Sequence, residues 1–112
     1  MKSIVRFALP ALLALAPGLA LAEAPAKAQV CAACHGADGK AIMPIYPNLA
    51  GQYSNYIEHA LKEYRAGERK NPVMGAQAST LTDDEIHELA QYFSSLPGPL
   101  YTPGVHGAST KH

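Results

Sequence analysis

The segment Cys31-Ala32-Ala33-Cys34-His35 (CAACH) decides how this chain folds, because it places two thiols and an imidazole within one short helical turn. Cys-x-x-Cys-His is the attachment signature of a c-type haem. The two thiols can bond to the two vinyl groups of one porphyrin, and the histidine then lies under the ring, where an imidazole nitrogen can bind iron. The motif predicts one covalent haem c on Cys31 and Cys34, with His35 as an axial iron ligand.

Other uses of the cysteine pair fit the sequence less well. A thioredoxin-like redox motif expects a βαβ context, and no stretch of this chain alternates like a strand. A zinc site needs four ligands, and no second cluster of cysteine and histidine accompanies the motif. A disulfide between Cys31 and Cys34 would close so short a loop that it removes little chain entropy. Disulfide or thiol redox chemistry remains the alternative to haem.

The N-terminus has the three-part pattern of a secretory signal peptide. Lys2 and Arg6 supply the positive charge, residues 7–21 form an apolar run, and Ala20-Leu21-Ala22 is a small-residue cleavage site before Glu23. Residues 1–22 are therefore predicted to be a cleaved signal peptide, and the protein to be periplasmic.

A retained membrane anchor is the alternative reading of the same segment. A spanning helix needs about 20 apolar residues, and this shorter run is interrupted by Pro10, Pro17 and Gly18.

Cleavage would leave 90 residues, with seven basic residues against nine acidic once Lys2 and Arg6 are lost, a net charge of −2 with histidine neutral. Such a chain has no basic excess for nucleic acid. A domain of this size buries a modest share of its surface and benefits from a staple such as a large cofactor.

The mature chain is predicted to be all-α, with three main helices. Residues 28–35 form a short alanine-rich helix, residues 53–66 form a helix that ends at Gly67, and the capping box Thr82-Asp83-Asp84-Glu85 begins a third helix that stops before Pro97. The second and third helices each carry one apolar stripe at i, i+3, i+4 and i+7 spacing: Ile57, Ala60, Leu61 and Tyr64 on the second, and Ile86, Leu89, Ala90 and Phe93 on the third.

Two further stretches have no period. Residues 43–51 and 68–81 are predicted loops, and a loop as long as 68–81 in so small a domain suggests a cofactor packed beneath it. The predicted organisation is a domain over residues 23–97 followed by a flexible Gly/Pro-rich tail over residues 98–112.

Beyond CAACH, four segments resemble class I c-type cytochromes in order and spacing, nearest to single-domain members of the cytochrome c4 and c553 group: HGADGK, YPNLAGQ, GERKNPVMG and LTDDEIHELAQYFSSL. The resemblance covers almost all of the mature chain. It implies a small cytochrome c fold, in which helices and loops wrap around one covalent haem and the N- and C-terminal helices cross.

The resemblance also implies two further site residues. Pro47, twelve residues after His35, matches the proline whose carbonyl binds the other nitrogen of the ligand histidine, with Pro44 as the competing candidate. Met74 matches the distal methionine of the family, so it is the expected sixth iron ligand. Met43 lies eight residues past His35, on the same side of the ring, and reaches the opposite face badly. The histidines leave a bis-histidine haem as the alternative: His59, His87, His106 and His112.

The charged and aromatic residues near the predicted site each have two possible interpretations. Arg65, Arg69 and Lys70 form a solvated helix end on one interpretation; on the other, one of them neutralises a haem propionate or marks a docking rim. The tyrosines either line the haem pocket or are ordinary core and surface residues: Tyr46, Tyr53, Tyr56 and Tyr64.

The predicted function is single-electron transfer between redox protein partners, through weak and transient docking, with no small-molecule substrate. Membrane contact is expected only through membrane-bound redox partners. One alternative is the electron-transfer subunit of a larger oxidoreductase. Another is a gas-binding or catalytic haem protein, which would require a vacant or labile sixth position on the iron.

Overall fold

Four helices make up the regular structure of the residues that the structure describes. The computed structural model describes residues 3–14 and 23–100. The helices are α1 (Ala28–His35), α2 (Ser54–Ala66), α3 (Pro72–Ala78) and α4 (Asp83–Ser95). The described residues contain no strand. The all-α prediction is therefore confirmed, and the three helices predicted from the sequence are α1, α2 and α4.

Local signals set the ends of the two long helices. The Thr82 hydroxyl accepts a hydrogen bond from the backbone N–H of Glu85 at 3.2 Å, and the Glu85 carboxylate accepts one from the backbone N–H of Thr82 at 3.1 Å. This reciprocal capping satisfies two N–H groups that have no partner within α4. The signal for the end of α2 is Gly67, which adopts the left-handed conformation with φ of 75°. Both predicted ends are confirmed.

The prediction of a loop throughout residues 68–81 is wrong, because α3 lies inside this stretch. The Asn71 side chain accepts hydrogen bonds from the backbone N–H groups of Val73 and Met74, at 3.0 and 3.1 Å. Pro72 lies in the first turn, where backbone N–H groups have no partner within the helix, so the N–H that proline lacks costs no helical hydrogen bond. A helix of seven residues is too short to show an apolar period, and it is stabilised by packing against α2.

The core lies where α2 packs against α4. Ala28 of α1 joins this core, and Lys27 at the start of α1 pairs with Glu85 at 3.8 Å. The largest fully buried side chains all belong to the stripe of α4. The core residues are Ala28, Ile57, Ala78, Leu81, Ile86, Leu89, Ala90 and Phe93.

Residues 3–14 do not join the core. Residues 3–14 are exposed and have no regular secondary structure. Within residues 3–14 and 23–100, no helix has both the length and the apolar character needed to cross a membrane. The remainder of the predicted signal peptide and residues 101–112 of the predicted tail lie outside the described residues.

Replacing Ile86 should test the core without touching the cavity described below. Ile86 is fully buried on α4, so we expect Ile86→Ala to lower the free energy of unfolding by about 2–5 kcal/mol, through lost apolar burial and an uncollapsed void. Glu88→Ala, at an exposed position of the same helix, is the control and should change stability little. Equal urea-denaturation midpoints for the two variants would contradict this packing.

Candidate functional site

A cavity of about 410 Å³ opens between α2, α4 and the loops that surround them. The stripe of α2 supplies four of its wall residues, and Leu89 and Phe93 add the facing side from α4. The walls are mainly apolar, and the volume lies within the range of small-molecule and cofactor pockets. The lining residues are Cys31, His35, Pro47, Asn48, Leu49, Gln52, Tyr56, Ile57, Ala60, Leu61, Tyr64, Arg69, Met74, Leu89, Phe93 and Leu100.

His35 lines this cavity with a defined ring orientation. Its Nδ1 lies 2.8 Å from the carbonyl oxygen of Pro47. Because a carbonyl oxygen only accepts, Nδ1 carries the proton, which leaves Nε2 of the neutral ring with a free lone pair. His35 is 6% exposed and is the only buried polar or charged residue in the part of the chain that the structure describes. Of the two candidate prolines, Pro47 makes this contact.

The loop of residues 36–51 presents the Pro47 carbonyl to His35. The carbonyl oxygen of Gly39 accepts hydrogen bonds from the backbone N–H groups of Leu49 and Ala50, at 2.8 and 3.0 Å. The Asn48 side chain accepts another from the backbone N–H of Ala41, at 2.7 Å. These bonds join residues 39 and 41 to the three residues that follow Pro47, and so hold the loop in the conformation that presents its carbonyl.

No disulfide joins the two cysteines of the motif. Cys31 lines the cavity, and burial raises the pKa of its thiol. Cys34 lies beside Tyr46, and this neighbour raises the pKa of the Tyr46 phenol. Both sulfurs lie on the same helix as His35, and that placement suits covalent bonds to a single planar cofactor in this cavity.

Met74 lines the same cavity as His35, although it lies 39 positions further along the chain. The helix α3 carries it there, with its backbone N–H bonded to Asn71. Met43 is 49% exposed and is not among the residues of the cavity wall.

The histidines considered as alternative iron ligands lie elsewhere or are not described. His59 and His87 have side chains that are 70% and 61% exposed, and they pair with Glu63 and Glu58. His106 and His112 lie outside the described residues.

Arg69 is the only permanently charged side chain in the described part of the cavity wall. The Tyr56 hydroxyl and the Glu63 carboxylate, both hydrogen-bonded to its guanidinium, raise the pKa of Arg69 above its already high ordinary value. Arg65 and Lys70 do not line the cavity. Arg65 instead bonds the carbonyl of Leu81 and the carboxylate of Asp83, and so joins the end of α2 to the start of α4.

Several residues that contribute to the site were not predicted from the sequence. Asn48 and Gln52 line the cavity from the loop region, and Asn71 caps the helix that carries Met74. The Asn71-Pro72 pair was the available signal, since asparagine is a preferred N-cap and proline a preferred first helical residue. Leu100 also lines the cavity, and Gly98 lies against Ala50, so residues 98–100 of the predicted tail contact the domain.

The residues present fit a covalently bound haem. The sulfur of Cys31, an imidazole with one free nitrogen and a thioether line one largely apolar cavity, and Cys34 lies on the same helix as Cys31 and His35. Imidazole and thioether are the axial donors of cytochromes c, and cysteine thioethers attach the ring.

Comparisons with known proteins agree with this chemistry. The family described as Cytochrome c matches residues 19–97. Cytochrome c-554(548) of Halomonas halodenitrificans is 46% identical over 72 residues, which are 62% of this chain and 87% of that protein. The cytochrome subunit of sulfide dehydrogenase of Chlorobaculum tepidum is 42% identical over 66 residues, which are 59% of either chain.

A solved structure is similar as well. The cytochrome c4 of Acidithiobacillus ferrooxidans superposes with a TM-score of 0.56 and 39% identity, over 59% of this chain and 38% of that one. This chain therefore spans most of the Halomonas protein, but well under half of the cytochrome c4.

This chain belongs to the cytochrome c family, and within it to the class I proteins close to cytochrome c4. It binds one haem c covalently and transfers electrons. The prediction of an electron carrier is confirmed.

The packing of Gly39 should be testable by comparison with Gly67. Both glycines have positive φ, of 73° and 75°, but a Cβ on Gly39 would lie 2.8 Å from the backbone nitrogen of Ala50, whereas a Cβ on Gly67 meets nothing within 4 Å. We expect Gly67→Ala to cost about 1 kcal/mol from backbone strain alone. Gly39→Ala should cost distinctly more, because it also displaces the loop that presents Pro47. Equal losses in urea denaturation would show that this close approach is absent.

Proposed function

We propose that this chain is a periplasmic monohaem cytochrome that carries single electrons between redox proteins, with His35 and Met74 as the two axial iron ligands. One observation carries the proposal. An imidazole with a defined free nitrogen and a thioether line the same cavity as the sulfur of Cys31.

On the proximal side, Cys31 and Cys34 would hold the ring through two thioether bonds, and His35 Nε2 would bind the metal. The Pro47 carbonyl, 2.8 Å from Nδ1, keeps the imidazole in one orientation and raises its basicity. The three side chains sit on one helical turn, so the proximal ligand cannot move independently of the covalent attachment.

On the distal side, Met74 would complete a closed coordination sphere. When bound, the haem supplies a one-electron couple between Fe(II) and Fe(III). A thioether ligand favours the reduced state and raises the potential. With a histidine and a methionine in place in both states, little rearrangement of the protein opposes electron transfer, and no coordination position remains for a substrate.

Docking to partners is proposed to be weak and transient. Electron-transfer encounters use small interfaces, and complementary charge steers them. Residues 23–112 carry a net charge of −2 with histidine neutral, which suits a partner with a basic docking face. Contact with a membrane would come only through membrane-bound partners.

The electron-transfer subunit of a larger oxidoreductase is the second candidate function. The similarity to the cytochrome subunit of sulfide dehydrogenase of Chlorobaculum tepidum favours it. Copurification of a catalytic chain with the native cytochrome would support the subunit, and recovery of the cytochrome alone would support the free carrier.

The sixth ligand can be tested by comparing Met74→Ala with Met43→Ala. We expect the haem-loaded wild type to be low-spin, with a sulfur–iron charge-transfer band, and to bind no carbon monoxide when reduced. Met74→Ala should lose the band and bind carbon monoxide, because the only thioether in the described cavity wall is gone. Met43→Ala is the control and should match the wild type. An unchanged spectrum for Met74→Ala would refute the assignment, and carbon monoxide binding by the wild type would favour a gas-binding protein.

Export and attachment can be tested together by the intact mass of protein matured in a host with haem-ligation machinery. We expect a mass equal to residues 23–112 plus one haem, because Ala22 ends a small-residue cleavage site. A mass that includes residues 1–22 would contradict cleavage but not haem attachment. A mass equal to the bare polypeptide, in colourless protein, would contradict covalent haem.

A further inference from the structure

We propose that Arg69 is a positioning residue that holds Met74 on the iron, by tying the segment between α2 and α3 to the surface of α2. The proposal rests on the proposed function, since it takes Met74 as the sixth ligand. Arg69 lies two residues past the end of α2 at Gly67 and five residues before Met74.

The first contact is an ion pair with α2. Arg69 Nε and Nη2 both lie close to Glu63 Oε2, at 3.0 and 2.8 Å. The backbone N–H of Arg69 also donates to the carbonyl oxygen of Glu63, at 3.3 Å. Glu63 is held from its other side, because His59 Nε2 lies 3.0 Å from its Oε1. Main chain and side chain of Arg69 are therefore anchored to the same residue of α2.

The second contact is with two aromatic rings of the cavity wall. The guanidinium carbon lies 5.3 Å from the centre of the Tyr64 ring and 5.8 Å from that of Tyr56. These distances suit cation–π attraction, and Nη1 lies 3.4 Å from the Tyr56 hydroxyl. The planar group thus spans Glu63 and both rings, which a lysine ammonium cannot reproduce.

These anchors bear directly on the placement of Met74. Only Lys70 separates Arg69 from Asn71, whose side chain bonds the backbone N–H of Met74 at 3.1 Å. The helix that follows has seven residues, too few to hold its position without support from its neighbours. With Arg69 released, α3 keeps its cap but loses the tie that fixes its start against α2.

A purely electrostatic role for Arg69 makes a different prediction. If the positive charge of Arg69 mattered only for balancing a haem propionate, Arg69→Lys would preserve the function. The proposal requires the opposite, because lysine keeps the charge and loses the planar group. Lys70 supplies a matched control, since it is exposed and its Nζ donates only to the carbonyl oxygen of Gly67, at 2.8 Å.

The experiment measures imidazole binding to the oxidised, haem-loaded protein, together with the charge-transfer band. Imidazole can bind the iron only when Met74 is off it, so the apparent dissociation constant falls as the open fraction rises. We expect Arg69→Lys to bind imidazole about tenfold more tightly than wild type, with a weaker band in the absence of imidazole. Lys70→Gln should behave as wild type.

A second variant keeps the test decisive if Arg69→Lys matures poorly. Glu63→Gln removes the charge that holds the guanidinium, so it should also tighten imidazole binding relative to wild type, as Arg69→Lys does. In the double variant the two effects should not add, because they break one contact. Wild-type imidazole affinity and an intact band in both single variants would overturn the proposal. A wild type without the band would instead refute ligation by Met74, so the two failures are distinguishable.

Discussion

The hydrogen bond between His35 Nδ1 and the carbonyl oxygen of Pro47 is the contact on which the site depends. It joins the helix that carries the attachment motif to the loop that closes over it, and it selects the tautomer with Nε2 free. A backbone carbonyl is a durable partner for this purpose, because no side-chain rotation can withdraw it. The loop itself must then be rigid. The carbonyl oxygen of Gly39 contributes to this rigidity by accepting hydrogen bonds from the backbone N–H groups of Leu49 and Ala50, just after Pro47.

A chain this small uses the same apolar stripes for two tasks. In α4, Ile86 packs into the core, while Leu89 and Phe93 are buried and also line the cavity. The stripe of α2 faces the cavity along its whole length, from Ile57 to Tyr64. A domain of this size has little apolar surface to spare. Much of its packing is therefore directed toward the space that a covalent cofactor fills, which explains why one ring can act as both redox centre and staple.

The two sides of the cavity are built with different rigidity. The proximal groups share one helix, and covalent attachment would bind that helix to the ring. Met74 reaches the cavity on a seven-residue helix that relies on the Asn71 cap and on packing against α2. Arg69, with Glu63 beneath it, joins that segment to the longer helix. On the proposed ligation by Met74, a ligand carried by so short a helix opens more readily than one on the helix of His35, and contacts along its approach then set how firmly the coordination is closed.

The features that the sequence determined by itself are local ones. The CAACH turn, the capping box at Thr82, the glycine end of α2 at Gly67 and the apolar stripes follow from spacings of a few residues, and the structure contains the corresponding helices. Helix α3 was not predictable from periodicity, because seven residues show no period and α2 provides its support. Local spacing did not decide which proline contacts His35 or which methionine lines the cavity; the family resemblance predicted Pro47 and Met74, and the tertiary structure brings both to the cavity. Tertiary structure alone decided which arginine of the cluster reaches the cavity. Each of these placements depends on contacts between segments distant in the chain, and no local spacing encodes which surfaces will meet there.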